Sequence, residues 1–131
     1  MIVLDTHALV WWATGDSMLS KKAKLAIDRE QDGGEIVVSS ISAWEICMLV
    51  KRGKLILALE VSRWLATVTE IDAIRFHPVD MEIASNSVDL PGNFHKDQAD
   101  RMIVATARKF AAPLVTKDEK IRAYTQVKTI W

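Results

Sequence analysis

Several apolar runs in this chain lead into carboxylates. Met1-Ile2-Val3-Leu4 stops at Asp5, and Ala112-Pro113-Leu114-Val115-Thr116 passes through Lys117 to Asp118. Glu35-Ile36-Val37-Val38-Ser39 leads into a segment carrying Glu45, and Asp97 and Asp100 precede the mostly apolar or small stretch Met102–Ala107. Side chains three apart on a helix share a face, so Asp97 and Asp100 would repel each other unless something positive sat between them. A divalent cation answers that need. Mg²⁺ and Mn²⁺ are hard ions that take oxygen ligands and keep several waters. In a carboxylate cage they suit phosphodiester hydrolysis: the ion polarises the phosphate and helps generate hydroxide, and a pair of ions can clamp both attacking and leaving oxygens.

Each acid also has a purely structural explanation. Asp5 and Asp97 suit helix N-caps, and Asp100 suits the first helical turn, where the dipole favours an anion. Ser42-Ala43-Trp44-Glu45 has the S-x-x-E spacing of a capping box, in which Glu45 would only reach back to its own backbone. Acids arriving together at one edge, with no obvious basic partner for each, are harder to explain as caps.

Whether they arrive together depends on the elements that carry them. Strands are expected over the runs ending at Leu4, Ser39, His77 and Thr116, with a last edge strand over Val127–Ile130. Helices are expected over Thr6–Ala13, from a Ser20 cap through Glu30, from Ser42 to about Arg52 before Gly53, over Val61–Ile71, from Asp80 to Ser87, from Asp97 onward, and from Asp118 to about Tyr124. Strand and helix alternate, which argues a parallel sheet with helices on both faces. Ligands of such sheets bind outside the carboxyl ends of the strands. Asp5, the segment holding Glu45 and Asp118 would emerge there, and the start of the Asp97 helix would have to fold back over the same edge to join them.

The 131 residues make one domain, 1–131, of ordinary size. Lysine plus arginine and aspartate plus glutamate balance at 17 each, so affinity for a polyanion would need a local patch rather than a global field. The single cysteine, Cys47, cannot form an internal disulfide, which fits a reducing cytoplasm. Its helical neighbours Ile46, Met48 and Leu49 suggest a buried, inert thiol. No apolar run approaches the length of a membrane span, and no signal peptide is visible, so a cytoplasmic location is expected. Lys51, Arg52 and Lys54 are either a solvated helix end or the lining of a groove that takes phosphates. His77, beside Pro78, reads as structural. Trp11 and Trp12 cannot share one helix face, so one is expected inward and the other toward a partner surface.

The ordered set Leu4-Asp5-Thr6, Ser42-Ala43-Trp44-Glu45-Ile46, Gly53-Lys54-Leu55, His95-Lys96-Asp97 with Asp100-Arg101-Met102-Ile103-Val104-Ala105, and Thr116-Lys117-Asp118 resembles the PIN-domain family. The resemblance is closest to the VapC-type ribonuclease toxins of bacterial toxin–antitoxin pairs, and it spans nearly the whole chain. It implies a three-layer α/β/α sandwich around a mainly parallel sheet of four to five strands. It also implies Mg²⁺- or Mn²⁺-dependent RNA cleavage with one or two ions, a homodimer, and inhibition by an antitoxin protein. By position, Asp5, Glu45 and Asp100 match the family's catalytic, metal-holding triad and Asp118 its frequent fourth acid. Asp97 is an extra acid, either a direct or a water-mediated ligand. Thr6 and Thr116 would hydrogen-bond the carboxylates or their waters. Lys51, Arg52, Lys54, Arg101 and Lys117 are the candidates for RNA phosphates. Where many relatives have Asp-Pro-Phe before the third acid, this chain has Asp97-Gln98-Ala99, which bears on the local loop shape. His95 is either a proton-transfer group or a hydrogen-bonding brace for its loop.

Three other readings compete. An aspartate-nucleophile phosphatase would need a second Asp where His7 stands. A phospho-acceptor receiver-like domain would be expected to carry its Asp after a middle strand, and none follows the third strand at His77. A non-catalytic protein-interaction module would use the acids as caps and the tryptophan pair as a contact surface.

Overall fold

The computed structural model describes residues 1–131. Five strands, β1 (Ile2–Leu4), β2 (Ile36–Ser39), β3 (Ile74–His77), β4 (Leu114–Val115) and β5 (Thr129–Ile130), form one sheet in the order β3-β2-β1-β4-β5. Every pairing is parallel, with Val3 opposite both Val37 and Leu114. Parallel strands need crossovers, and helices provide them on both faces.

The strand pleat sorts the core into two. Ile2, Leu4, Ile36, Val38 and Val115 face one layer, built by α1 (Thr6–Thr14), α2 (Lys21–Gln31) and α4 (Val61–Thr69), with Ile46 of α3 (Ser40–Lys51) added. Val3, Val37 and Leu114 face the other layer, where Ile83 of α5 (Met81–Val88), Ile103 and Val104 of α6 (Gln98–Lys109) and Ile121 of α7 (Glu119–Arg122) pack. This is the expected three-layer sandwich, fully parallel. No helix is long and apolar enough to cross a membrane.

The strand order also sets where a ligand can enter. From β1 the chain builds outward through β2 and β3, then returns to the opposite side of β1 for β4 and β5. Loops leaving β1 and β4 therefore diverge, opening a crevice at their carboxyl ends.

Several expectations need correction. Helix α3 starts at Ser40 with Ser39 as its cap, two residues before the expected start, so Glu45 lies beyond the first turn. Cys47 is exposed rather than buried. Strand β4 is two residues long, because Pro113 lacks the N–H that would extend the ladder. Helix α7 is a single turn rather than reaching Tyr124. The middle strand is β1, not the third strand, and it does end at an aspartate, Asp5. The positional argument against a receiver-like domain therefore fails, and that reading is weighed below on its chemistry.

Candidate functional site

Asp5 leaves β1 and caps α1, its Oδ1 accepting from the Ala8 N–H at 2.8 Å. Asp118 caps α7 through Oδ1 and the Ile121 N–H at 3.0 Å. Asp97 caps α6 through Oδ1 and the Asp100 N–H at 2.9 Å. The capping reading of Asp5 and Asp97 is thus correct as far as it goes, and Asp118 caps in the same way. A carboxylate has two oxygens and about four lone-pair sites, so a cap made through one oxygen leaves the other available to a ligand.

Glu45 is no cap. Its Oε1 lies 2.5 Å from the Thr6 hydroxyl, which in turn lies 2.9 Å from Ser42 Oγ. A hydroxyl has one proton, so donation runs from Ser42 to Thr6 to Glu45. The serine assigned to a capping box instead orients the carboxylate through a residue of α1. Thr116, fully buried, does the equivalent on the other side: its hydroxyl bonds the Asp5 carboxylate and accepts from the Asp118 N–H at 3.0 Å.

Asp5, Glu45, Asp97, Asp100 and Asp118 all line one cleft of about 460 Å³ beside the crevice. No lysine or arginine nitrogen comes within 4.0 Å of any of them; the sole close partner is His95, whose Nε2 is 3.0 Å from Asp100 Oδ2. The electrostatic consequence is large. Burial, followed by repulsion from Asp97, Asp118, Glu45 and Asp5, pushes the Asp100 carboxyl up to about 7. Burial also raises Asp5, against the hydrogen bonds from Thr116 and Ala8. Glu45 is raised by burial, opposed by the Thr6 hydroxyl. Such clustered shifts mark sites built for a positive ligand or for proton chemistry. The donor set fits a hard divalent ion: carboxylate oxygens from separate elements, two of them oriented by threonine hydroxyls.

The basic candidates fare unevenly. Lys117 lies on the cleft, its ammonium 5.9 Å from the Trp11 ring centroid. Arg52 and Lys54 line a second hollow of about 800 Å³, which shares Glu45 and Asp97 with the cleft. Lys96, passed over as a basic candidate in the sequence, lines it too; its signal was adjacency to Asp97. Lys51 is exposed and lines neither hollow. Arg101 is directed elsewhere, its guanidinium donating to the carbonyls of Ser87, Val88, Phe94 and His95 at 2.7 to 3.1 Å. It braces the loop before α6 and has little left to offer a phosphate. His95 makes no ring hydrogen bond to that loop, so the brace is the arginine and not the histidine. Of the two tryptophans, Trp12 packs on the first core and Trp11 lies on the cleft. His77 pairs with Asp80 at 3.5 Å, its ring stands edge-on to Phe110, and it lines neither hollow.

Residues 2–126 match the PIN domain. The chain is 33% identical to Ribonuclease VapC22 of Mycobacterium tuberculosis, over 99% of its own length and 98% of that protein's. Among solved structures it resembles the VapBC2 complex of Rickettsia felis bound to a promoter DNA fragment, with a TM-score of 0.68 at 15% identity, covering 98% of this chain and 97% of that one. It also resembles a toxin–antitoxin complex from Klebsiella pneumoniae, with a TM-score of 0.66 at 19% identity, covering 97% of this chain and 95% of that one. At these identities the structural likeness speaks for the fold.

Proposed function

The chain belongs to the PIN domain family, alongside a VapC ribonuclease, and on that premise we propose that it is a divalent-metal-dependent endoribonuclease. In this reading residues 1–131 form one nuclease domain, the toxin of a type II toxin–antitoxin pair, held in check by an antitoxin protein and acting as a homodimer. The observation that carries the reading is the convergence of Asp5, Glu45, Asp97, Asp100 and Asp118 in one cleft with no lysine or arginine nitrogen within 4.0 Å of any of them.

Asp5, Glu45, Asp100 and Asp118 hold one or two ions, with Asp97 beside them as a direct or water-mediated ligand. A bound Mg²⁺ or Mn²⁺ supplies Lewis acidity to the scissile phosphate and lowers the pKa of a water. Thr6 and Thr116 fix the carboxylates they bond, so that the cage needs little reorganisation when loaded. Lys117 on one side, and Arg52, Lys54 and Lys96 in the adjoining hollow, offset the charge that an RNA backbone brings toward an acidic cleft. Asp100, near 7 in the metal-free protein, must give up its proton to become a full ligand, so cleavage is expected to rise with pH across neutrality.

The receiver-like reading is disfavoured by the same site. Asp5 does end the middle strand, yet Glu45 and Asp97 also line its cleft, and phosphorylating Asp5 would add charge to an already repelling cluster. Acetyl phosphate should leave the protein unmodified. The decisive experiment is cleavage of a transfer-RNA and structured-RNA panel by purified, antitoxin-free protein with Mg²⁺ or Mn²⁺, with EDTA, and with Asp100→Asn. Metal-dependent cutting absent from the variant supports the reading, and a folded protein that neither cuts nor binds metal overturns it.

A further inference from the structure

His95 supplies the one basic side-chain nitrogen within 4.0 Å of the clustered acids. Its Nε2 is buried and has no hydrogen-bond partner, although it lies only 3.0 Å from Asp100 Oδ2. That contact pairs the imidazole with the carboxylate but lacks the alignment of a hydrogen bond, so Nε2 is not committed to Asp100. One donor atom each from His95, Asp100 and Asp118 lie within 4.8 Å of one another. A buried polar atom without an aligned hydrogen bond is costly, and here it faces carboxylates that no lysine or arginine nitrogen approaches within 4.0 Å.

The imidazole is also built into place. Arg101 donates to the Phe94 carbonyl at 3.0 Å and the His95 carbonyl at 3.1 Å. The Phe94 ring meets the His95 ring edge-on at 4.5 Å and lies tilted, at 4.7 Å, against Tyr124, whose hydroxyl bonds the Pro91 carbonyl. A loop histidine serving only solvent would need none of this bracing.

We propose that His95 is a direct metal ligand, adding an imidazole nitrogen on the Asp100–Asp118 side of the cage, so that the site prefers a first-row transition ion such as Mn²⁺ over Mg²⁺. The physical basis is ligand softness: carboxylates alone suit Mg²⁺ and Mn²⁺ alike, whereas imidazole suits the transition metals. The inference rests on the reading of the acidic cleft as a metal site.

The test is spectroscopic and does not depend on RNA cleavage. The antitoxin-free protein is loaded with Mn²⁺ and probed by pulsed electron paramagnetic resonance for ¹⁴N coupling to the ion. Mn²⁺ and Mg²⁺ affinities are then measured by calorimetry. Wild type is expected to show the coupling of a directly bound imidazole. His95→Gln should lose it and bind Mn²⁺ about 10–100-fold more weakly, with Mg²⁺ affinity changed less than about threefold. His7→Gln, altering the histidine that lines the cleft itself, should keep the coupling. Bound Mn²⁺ without ¹⁴N coupling in wild type overturns the inference while leaving the acid cage standing, and this arm needs no variant to fold. Equal losses for both ions in His95→Gln overturn it as well. If wild type binds neither ion, the metal reading itself falls and the inference with it.

Discussion

Replacing Asp100 with Asn should stabilise the metal-free protein, and the gain should depend on pH. In the folded protein the Asp100 carboxyl is raised from 3.8 to about 7, by burial first and by four neighbouring acids second. Between those values the native state keeps a proton that the unfolded chain has released, so stability falls as pH rises through the window and the penalty reaches its full value above 7. A change of that size has a ceiling of about 4 kcal/mol. Part of the group is open to water, and screening brings the expected penalty to about 2 kcal/mol. Asn has nearly the same shape and no charge to desolvate, so Asp100→Asn should recover most of that penalty at pH 8 and less than about 1 kcal/mol at pH 5. For a domain of this size about 1 kcal/mol moves Tm by about 4 °C. Thermal melts by circular dichroism in EDTA would then place the variant about 8 °C above wild type at pH 8, with the gap closing toward pH 5. Saturating Mn²⁺ should reverse the order, because the ion stabilises the protein that binds it more tightly. The reasoning is refuted if the variant melts no higher than wild type at pH 8 in EDTA, or if the gap is the same at both pH values.

Thr6→Val removes the donor to Glu45 and should lower the cleavage rate about 10–100-fold, with Thr6→Ser restoring it; unchanged single-turnover rates would show that the hydroxyl does not orient the acid. Arg101→Lys cannot reproduce a guanidinium that serves four carbonyls, so urea titration should show a loss of about 3 kcal/mol. A loss well under 1 kcal/mol would mean that the loop before α6 holds itself. Arg52→Glu with Lys54→Glu should weaken RNA binding in EDTA and lower the salt slope by about 1 for each phosphate that is no longer neutralised. Lys51→Glu, altering a residue outside both hollows, should do neither, and filter binding across a salt series separates the two cases.

The sheet and two of its acids were legible because they depend on local rules. A buried apolar run that stops at a carboxylate gives a strand and an exit residue, and strand–helix alternation brings all such exits to one edge; Asp5 and Asp118 needed no more than that. Capping and ligation looked like rival readings only because sequence spacing treats a carboxylate as having a single use. Asp5, Asp97 and Asp118 cap through one oxygen and still line the cleft with the rest of the group. Glu45 was ambiguous for another reason. Its orientation comes from Thr6, 39 residues away, and no local pattern encodes a hydrogen bond at that separation.

Arg101 shows how the helix period bears on a candidate site residue. Adjacent residues on a helix point about 100° apart, so an arginine directly after Asp100 starts out on a different face. It turns instead to the carbonyls of the preceding loop, and in tying down Phe94 and His95 it fixes the backbone that carries the imidazole nitrogen to Asp100. The residue assigned to substrate thus acts on the site indirectly, through the one nitrogen donor that touches the acids. An Arg101→Lys protein that still folds should therefore lose Mn²⁺ affinity more than Mg²⁺ affinity, in the same direction as His95→Gln. Equal losses for both ions would show that the loop brace and the metal preference are unconnected.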